Sequence, residues 1–379
     1  MVEYGLGLMR LPLLDDNDQA SVDLQELQIM VDKCMEEGVN FFDTAVPYHM
    51  GASEESIKKT LVEKYPRDSF ILSNKLPLFY ITKKEDMEFY FNQSLNKCGV
   101  DYFDYYMLHN LSTWTKSIYK KIDCFKFLKE KKDEGLVNKI GISFHDRPKL
   151  LKKTLAEHHE LDFILLQINY HDWDSQSFQA RESYKIALEY DLEILIMEPL
   201  KGGTLINITD KAIDLLKEYN PNDSIASWAM RFSGSLDNVS YVLSGTKNLQ
   251  QTSENINTFK NFKPISLKEI EILNKVSEIL DEEIAIECTE CRYCMDGVCP
   301  NNIPISEYFT LYNDVKRFGF RDFSTQGVQY RTFSLNDIYI YGSASDCDGC
   351  GECVKICPQG LKIPLLLKDV ADEFEVPLD

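Results

Sequence analysis

Residues 24–43 read LQELQIMVDKCMEEGVNFFD. Leu24, Leu27, Ile29, Met30, Val31 and Met35 return at helical spacing, Gly38 stops the helix, and Val39 to Asp43 form a short apolar run of strand type. Helix, glycine, strand is the unit of an α/β fold, and the alternation recurs along the first 245 residues. Strands are expected at 4–9, 39–43, 70–75, 103–108, 138–142, 162–168, 193–197 and 240–244, with a further clear helix at 85–98 stopped by Gly99. That is the count of a (β/α)8 TIM barrel. A doubly wound sheet needs only six strands and a G-x-G-x-x-G turn after one of them, and Gly5-Leu6-Gly7 stops short of that fingerprint.

Beyond the barrel, helices at about 247–260 and 266–282 complete a first domain spanning 1–284, and a small α+β domain follows at 285–379. It opens on Cys288-x2-Cys291-x2-Cys294-x4-Cys299-Pro300 and ends on Cys347-x2-Cys350-x2-Cys353-x3-Cys357-Pro358. Three thiolates at two-residue intervals wrap three corners of a cubane, and a more distant cysteine before proline supplies the fourth. Structural zinc sites also take four cysteines, usually from two separated C-x2-C knuckles rather than a triple run. The runs resemble those of two-cluster ferredoxins. That resemblance implies two [4Fe-4S] clusters with exchanged fourth ligands, one on Cys288, Cys291, Cys294 and Cys357, the other on Cys347, Cys350, Cys353 and Cys299. Met295 to Val298 make the first run one residue longer than the second before its last cysteine, which makes Cys299 the less regular ligand. The insertion at 305–346 is long for a ferredoxin-like domain, contains a helix at 308–318, and could lid the barrel mouth.

Composition narrows the classes. The chain has 379 residues, 44% of them apolar and 27% charged, enough for a substantial core. Its formal charge of -20, from 41 basic and 61 acidic side chains, argues against nucleic acid as a partner, because phosphate recognition needs a basic face. Of eleven cysteines, Cys34, Cys98 and Cys124 fall outside the runs and read as small buried hydrophobes. No secretory-type leader or membrane-length apolar run is read, so a cytoplasmic protein with reduced thiols is expected.

In a TIM barrel the chemistry sits at the C-terminal ends of the strands. Asp43 ends the second expected strand, Tyr48 follows five residues on, Lys75 ends the third, and His109 follows the fourth. Singly, each has a plain structural reading as a cap, a solvated lysine or a satisfied histidine. Jointly, they resemble the Asp, Tyr, Lys and His tetrad of the aldo-keto reductases. The subgroup with a C-terminal ferredoxin-like domain is closer still, on Met9-Arg10-Leu11-Pro12, Tyr48-His49-Met50-Gly51-Ala52-Ser53-Glu54-Glu55 and Glu198-Pro199-Leu200-Lys201-Gly202-Gly203.

The resemblance implies hydride transfer between a nicotinamide cofactor and a small carbonyl compound, with Tyr48 as general acid. Lys75 would lower its pKa from about 10, Asp43 would hold Lys75, and His109 would bond the substrate oxygen. It also implies cofactor contacts at Ser143, Gln167, Met197, Gly202, Gly203, Ser244, Gly245, Thr246, Gln251 and Asn255. Departures are plain: Phe144 and Met197 replace the usual Asn and Tyr, while Gly245 and Gln251 replace the Lys and Arg that neutralise a 2'-phosphate. NAD(P)H is therefore expected without selectivity for NADPH. Because hydride carries two electrons and a cluster one, a flavin would serve as mediator if the halves communicate. The alternative function is an electron-transfer protein passing single electrons to a substrate or flavin in the barrel, with a soluble electron carrier as partner. A third reading makes the clusters structural staples. Trp114 and Trp173, after the fourth and sixth strands, are candidate pocket walls.

Overall fold

The computed structural model describes residues 2–16, 18–112, 115–175, 178–282, 285–288, 292–295, 297–318, 325–334 and 341–375. Eight strands run β1 (Glu3–Gly7), β2 (Phe41–Asp43), β3 (Ile71–Leu76), β4 (Phe103–Leu111), β5 (Val137–Phe144), β6 (Phe163–Gln167), β7 (Glu193–Met197) and β8 (Val239–Gly245). All pair in parallel and in chain order. The barrel closes where Glu3 to Gly7 pair with Tyr241 to Gly245. β4 and β5 run past their expected ends, and the register between them shifts between Leu108 and Leu111, beside Asn110 at φ 58°. A bulge of this kind re-aims a side chain, and His109 sits in it.

The first helix shows how sequence sets the frame. Asp23 caps Leu24–Glu36 by accepting from the N–H groups of Gln25 and Glu26, and Gly38 follows at φ 81°. The buried stripe is Leu27, Met30, Val31 and Cys34, a strict i, i+3, i+4, i+7 series. Ile29 falls off that stripe and is exposed, contrary to the expected face. Inside the barrel, Phe41, Tyr105, Met107, Phe163, Leu165, Leu195 and Leu243 form one packed cluster. These side chains need glycine opposite them: a Cβ on Gly141 would come within 2.7 Å of the Phe163 ring, and one on Gly5 within 2.5 Å of Leu243. Cys34, Cys98 and Cys124 are all fully buried.

Packing separates two units, one of residues 1–173, 179–201 and 222–270, the other of 174–178, 202–221 and 271–379. The first contains the barrel. In the second, the described regular structure beyond residue 285 is helical: Ile305–Phe318, Thr325–Ser334, a single turn at Ala344–Asp346, Glu352–Ile356 and Ile363–Phe374. Its core joins Tyr308, Phe309, Tyr330, Leu367, Val370 and Phe374 with the buried Cys294 and Cys353. The Ile305–Phe318 helix pins the chain entering both cysteine runs. Asn313 accepts from Ile286 N–H at 2.8 Å and donates to Ile286 C=O at 2.9 Å, while Tyr308 donates to Gly342 C=O at 3.0 Å. Among the described residues, no helix is long and apolar enough to cross a membrane.

Candidate functional site

Asp43 closes β2 and faces Lys75 on β3. The Lys75 ammonium donates to Asp43 Oδ2 at 2.6 Å and to Thr44 C=O at 2.9 Å, and Ser73 donates to Asp43 Oδ1 at 2.8 Å. Lys75 is 1% exposed and Asp43 5%. Burial works against the ammonium, but the Asp43 carboxylate overrides it and holds Lys75 above its ordinary value.

Tyr48 starts a tight turn in which His49 and Met50 are left-handed, at φ 52° and 54°, ahead of Gly51 at 90°. Such backbone survives only where surroundings dictate it. Here His49 Nε2 accepts from Leu11 N–H at 2.9 Å and Nδ1 donates to Gln19 C=O at 3.0 Å, which also fixes the tautomer. The Tyr48 ring lies with its centre 4.8 Å from Lys75 Nζ and 5.9 Å from the His109 ring, which it meets edge-on. Burial pushes the Tyr48 phenol above its ordinary value despite the adjacent ammonium, the opposite of the expected lowering. His109 is held well below the ordinary imidazole value by burial, Lys75 and a second imidazole, His145. Its Nδ1 has no hydrogen-bond partner among the described residues.

The residues expected to grip a cofactor divide into groups. Ser143 Oγ lies 2.9 Å from His145 Nε2 and donates weakly to the Met197 sulfur at 3.9 Å, while Met197 pairs in register with Gln167. These three are therefore together. Gln167 donates to Asp172 at 3.3 Å, and Asp172 receives Lys201 at 2.6 Å and Asn169 at 2.8 Å. Burial opposes the Asp172 charge, yet Lys201 keeps its carboxyl below the usual range.

At the end of β8, Ser244 C=O accepts from Tyr4 at 3.0 Å, and Thr246 and Thr252 share a hydroxyl contact of 2.7 Å. Gly245 is closely packed: a Cβ would stand 3.0 Å from Arg10 Cβ and 3.1 Å from Gly7 C=O, so Arg10 would have to give by a few tenths of an ångström. Gln251 accepts from Lys247 N–H at 2.9 Å, and Asn255 is buried beside Tyr4. Gly202 and Gly203, left-handed at φ 69° and 94°, belong to the second unit. Trp173 packs against Tyr184 and Phe232 with Arg181 over its ring, and Trp114 lies outside the described residues.

His145 and Asp172 were not expected, and Lys201 was read only as part of the Glu198 to Gly203 stretch, with no role of its own. His145 follows directly on the Ser143-Phe144 pair, and that position was the available signal. The Asp172–Lys201 pair joins two separate strand-end loops and leaves no local spacing to read.

In the second unit, Cys288 and Cys294 line one small pocket together with Cys357, Arg292, Ile305 and Phe309. Cys353 is crowded by Cys347, Cys299 and Cys350. Burial first, and that crowding second, push it up to about 11. The last cysteine of each run thus sits with the other run, and Cys291 lies outside the described residues. None of the seven described thiols is in a disulfide. Among the described residues, no three His, Cys, Asp or Glu side chains close tightly enough to chelate a single ion; the first set of thiols edges a cavity instead.

A parallel eight-stranded barrel with a buried Asp–Lys pair under a tyrosine at its C-terminal mouth defines a class of barrel oxidoreductase. The chain belongs to the aldo/keto reductase family, whose pattern matches residues 3–278, and residues 287–361 match a 4Fe-4S dicluster domain. Among curated relatives, the uncharacterized oxidoreductase YqkF of Bacillus subtilis is 23% identical over 304 residues, covering 72% of this chain and 91% of that one. The NADH-specific methylglyoxal reductase of Escherichia coli is 24% identical over 276 residues, covering 60% and 82%. Among solved structures, the holo form of aldo-keto reductase AKR11C1 from Bacillus halodurans has a TM-score of 0.59 at 21% identity, covering 72% of this chain and 91% of that one. An aldo-keto reductase from Klebsiella pneumoniae in complex with NADPH gives 0.56 at 16%, covering 72% and 90%. These structural likenesses establish the shared barrel.

Proposed function

We propose that this aldo/keto reductase interconverts a small carbonyl compound and its alcohol with a nicotinamide dinucleotide, Tyr48 passing the proton. We also propose that its C-terminal domain holds two [4Fe-4S] clusters with exchanged fourth ligands. The observation that carries the first reading is the water-excluded Asp43–Lys75 pair 4.8 Å from the centre of the Tyr48 ring. The reduced nicotinamide supplies hydride when bound. Everything else falls to side chains.

Because burial keeps the Tyr48 phenol protonated through the neutral range, it is ready to donate to the oxygen on which charge develops. Lys75 stabilises the phenolate left behind, and Asp43 keeps Lys75 charged and in place. His109, neutral in its buried setting, donates from one ring nitrogen to the same oxygen. Ser143, Gln167 and Met197 form the floor for the nicotinamide. Ser143 and Gln167 offer polar partners to its carboxamide, and the bond that the Gln167 amide nitrogen donates to Asp172 fixes which end of that side chain is the oxygen.

NADH suits the site at least as well as NADPH. Gly245 carries no cation and is closely packed against Arg10 and Gly7, and Gln251 is engaged with Lys247 N–H rather than extended. The name of the Escherichia coli relative supports the same choice and supplies methylglyoxal with NADH as probe substrates. The thiol arrangement supports the clusters, because the opening edged by Cys288, Cys294 and Cys357 offers three corners of a four-thiolate set. With both cofactor types in one chain, a soluble one-electron carrier is the expected partner and a reducing cytoplasm the expected setting. The experiment is turnover of methylglyoxal and a panel of related carbonyls with NADH by anaerobically prepared protein, compared with Tyr48→Phe. Equal rates for the two proteins would overturn the assignment of Tyr48.

A further inference from the structure

On the opposite face of β3 from Lys75 lies a second buried polar group that the mechanism above does not use. Glu54 sits on the helix Ala52–Ile57, directly after the Tyr48 turn, and Glu54, Asn74, Cys98 and Tyr106 are all fully buried. Asn74 Nδ2 donates to Glu54 Oε1 at 2.9 Å and reaches Cys98 Sγ at 3.6 Å. Asn74 Oδ1 accepts from the backbone N–H of Lys75 at 2.7 Å. The amide has one sensible orientation, its donor end to the carboxylate and its acceptor end to the N–H.

The reason for this arrangement lies in the sheet. β2 is short, and its pairing with β3 ends at Asp43 and Ser73. Lys75, two residues further, is beyond the reach of β2, and a buried N–H needs an acceptor. Asn74 supplies it. The arrangement is costly, since Glu54 Oε2 and the Tyr106 hydroxyl have no partner among the described residues, and each such buried group forfeits a hydrogen bond it makes to water in the unfolded chain. An apolar filling would make the more stable core, so stability alone does not account for it.

We propose that Glu54 and Asn74 are positioning residues, a strut of two hydrogen bonds from the helix that follows Tyr48 to the backbone of Lys75, fixing the separation of the Lys75 ammonium from the Tyr48 ring. The proposal rests on Tyr48 being the proton donor. If the strut is cut, Lys75 recedes, the phenolate loses its counter-charge, and Tyr48 holds its proton more tightly.

The test compares wild type, Glu54→Gln, Glu54→Leu and Asn74→Ala by two readouts. One is kcat with NADH and methylglyoxal. The other is the titration of Tyr48, taken as the tyrosinate absorbance difference between each protein and the same protein carrying Tyr48→Phe. Glu54→Leu and Asn74→Ala are expected to lose about tenfold or more in kcat and to raise the Tyr48 midpoint by about one pH unit, with the KM for NADH unchanged. Glu54→Gln, which keeps an oxygen for Asn74 to donate to, is expected to rescue both. Asn74→Ser, too short to span the gap, gives the same reading if either larger change prevents folding. A folded Asn74→Ala or Asn74→Ser with wild-type kcat and midpoint overturns the strut, as does a Glu54→Gln as impaired as Glu54→Leu. If Tyr48→Phe itself leaves kcat unchanged, the reading beneath the proposal fails instead.

Discussion

Lys75 Nζ and Asp43 Oδ2 stand 2.6 Å apart where almost no solvent reaches either. Removing one member of such a pair strands a buried charge, so Asp43→Asn should cost about 3–5 kcal/mol in urea unfolding. The sign with pH is definite. Lys75 is raised in the folded protein, so the pair's contribution is complete below the unfolded lysine value of about 10.4. It is lost as pH climbs through the higher folded value. The gap between wild type and Asp43→Asn should therefore stay constant at neutral pH and narrow only in strong alkali. A gap that closes near pH 7 would contradict this pairing.

Tyr48→Phe should lower kcat about a hundredfold or more, the usual scale for losing a general acid, while the affinity for NADH barely changes. Lys75→Met acts through the same proton, so the double variant should be little worse than the worse single one. Additive losses in steady-state kinetics would mean that the two residues serve different steps.

Acid stability should report the two imidazoles. His145 is pushed down to about 4 by burial and Lys75, and His109 well below its ordinary value. The unfolded chain binds protons at about 6.5 while the folded one does not. Stability should therefore fall on acidification between about pH 6.5 and 4, by about 1.4 kcal/mol per pH unit for each histidine. His145→Asn should reduce that slope by one proton in urea melts across this range. An unchanged slope would mean that His145 is solvated.

Preference between NADPH and NADH should stay under about a hundredfold, or 2.7 kcal/mol, because neither Gly245 nor Gln251 can form charge-assisted bonds to a 2'-phosphate. Gly245→Lys should not create NADPH preference, since its Cβ already meets Arg10 and Gly7. Binding titrations with the two dinucleotides decide this, and a strong NADPH preference would assign the phosphate to another cation such as Lys247.

Anaerobic protein should carry about eight iron and eight sulfide per chain, and Cys357→Ser should alter the spectrum of the cluster held by Cys288 and Cys294. If its EPR changes match those of Cys350→Ser instead, the ligands do not cross. Zinc without sulfide would end the cluster reading.

The barrel is legible in the sequence because each strand is a short apolar run, and the helices ahead of the second and fourth are stopped by Gly38 and Gly99. The tetrad is legible because barrel chemistry sits at strand ends. What escapes is whatever depends on one loop meeting another. Neither Asn74 nor Glu54 suggests its partner by spacing, because their meeting follows from β2 ending two residues short of Lys75. His145 lies one residue past β5 and gains meaning only beside Lys75. The direction of the Tyr48 shift escapes for a related reason: a neighbouring lysine can be anticipated from sequence, but the depth of burial that outweighs it cannot.

The placement of Cys299 among Cys347, Cys350 and Cys353 has a bearing on how the protein is made. With ligands exchanged, neither cluster could acquire its fourth thiolate from its own run. The barrel, which lies upstream, could be finished while the cysteine segment was still emerging from the ribosome. The first run would have to wait for Cys357, with thiols open to oxygen or to stray metal. Both clusters would then close late, within a few residues of each other, and a chain cut short anywhere before Cys353 would leave the assembly machinery with two incomplete acceptors rather than one complete one.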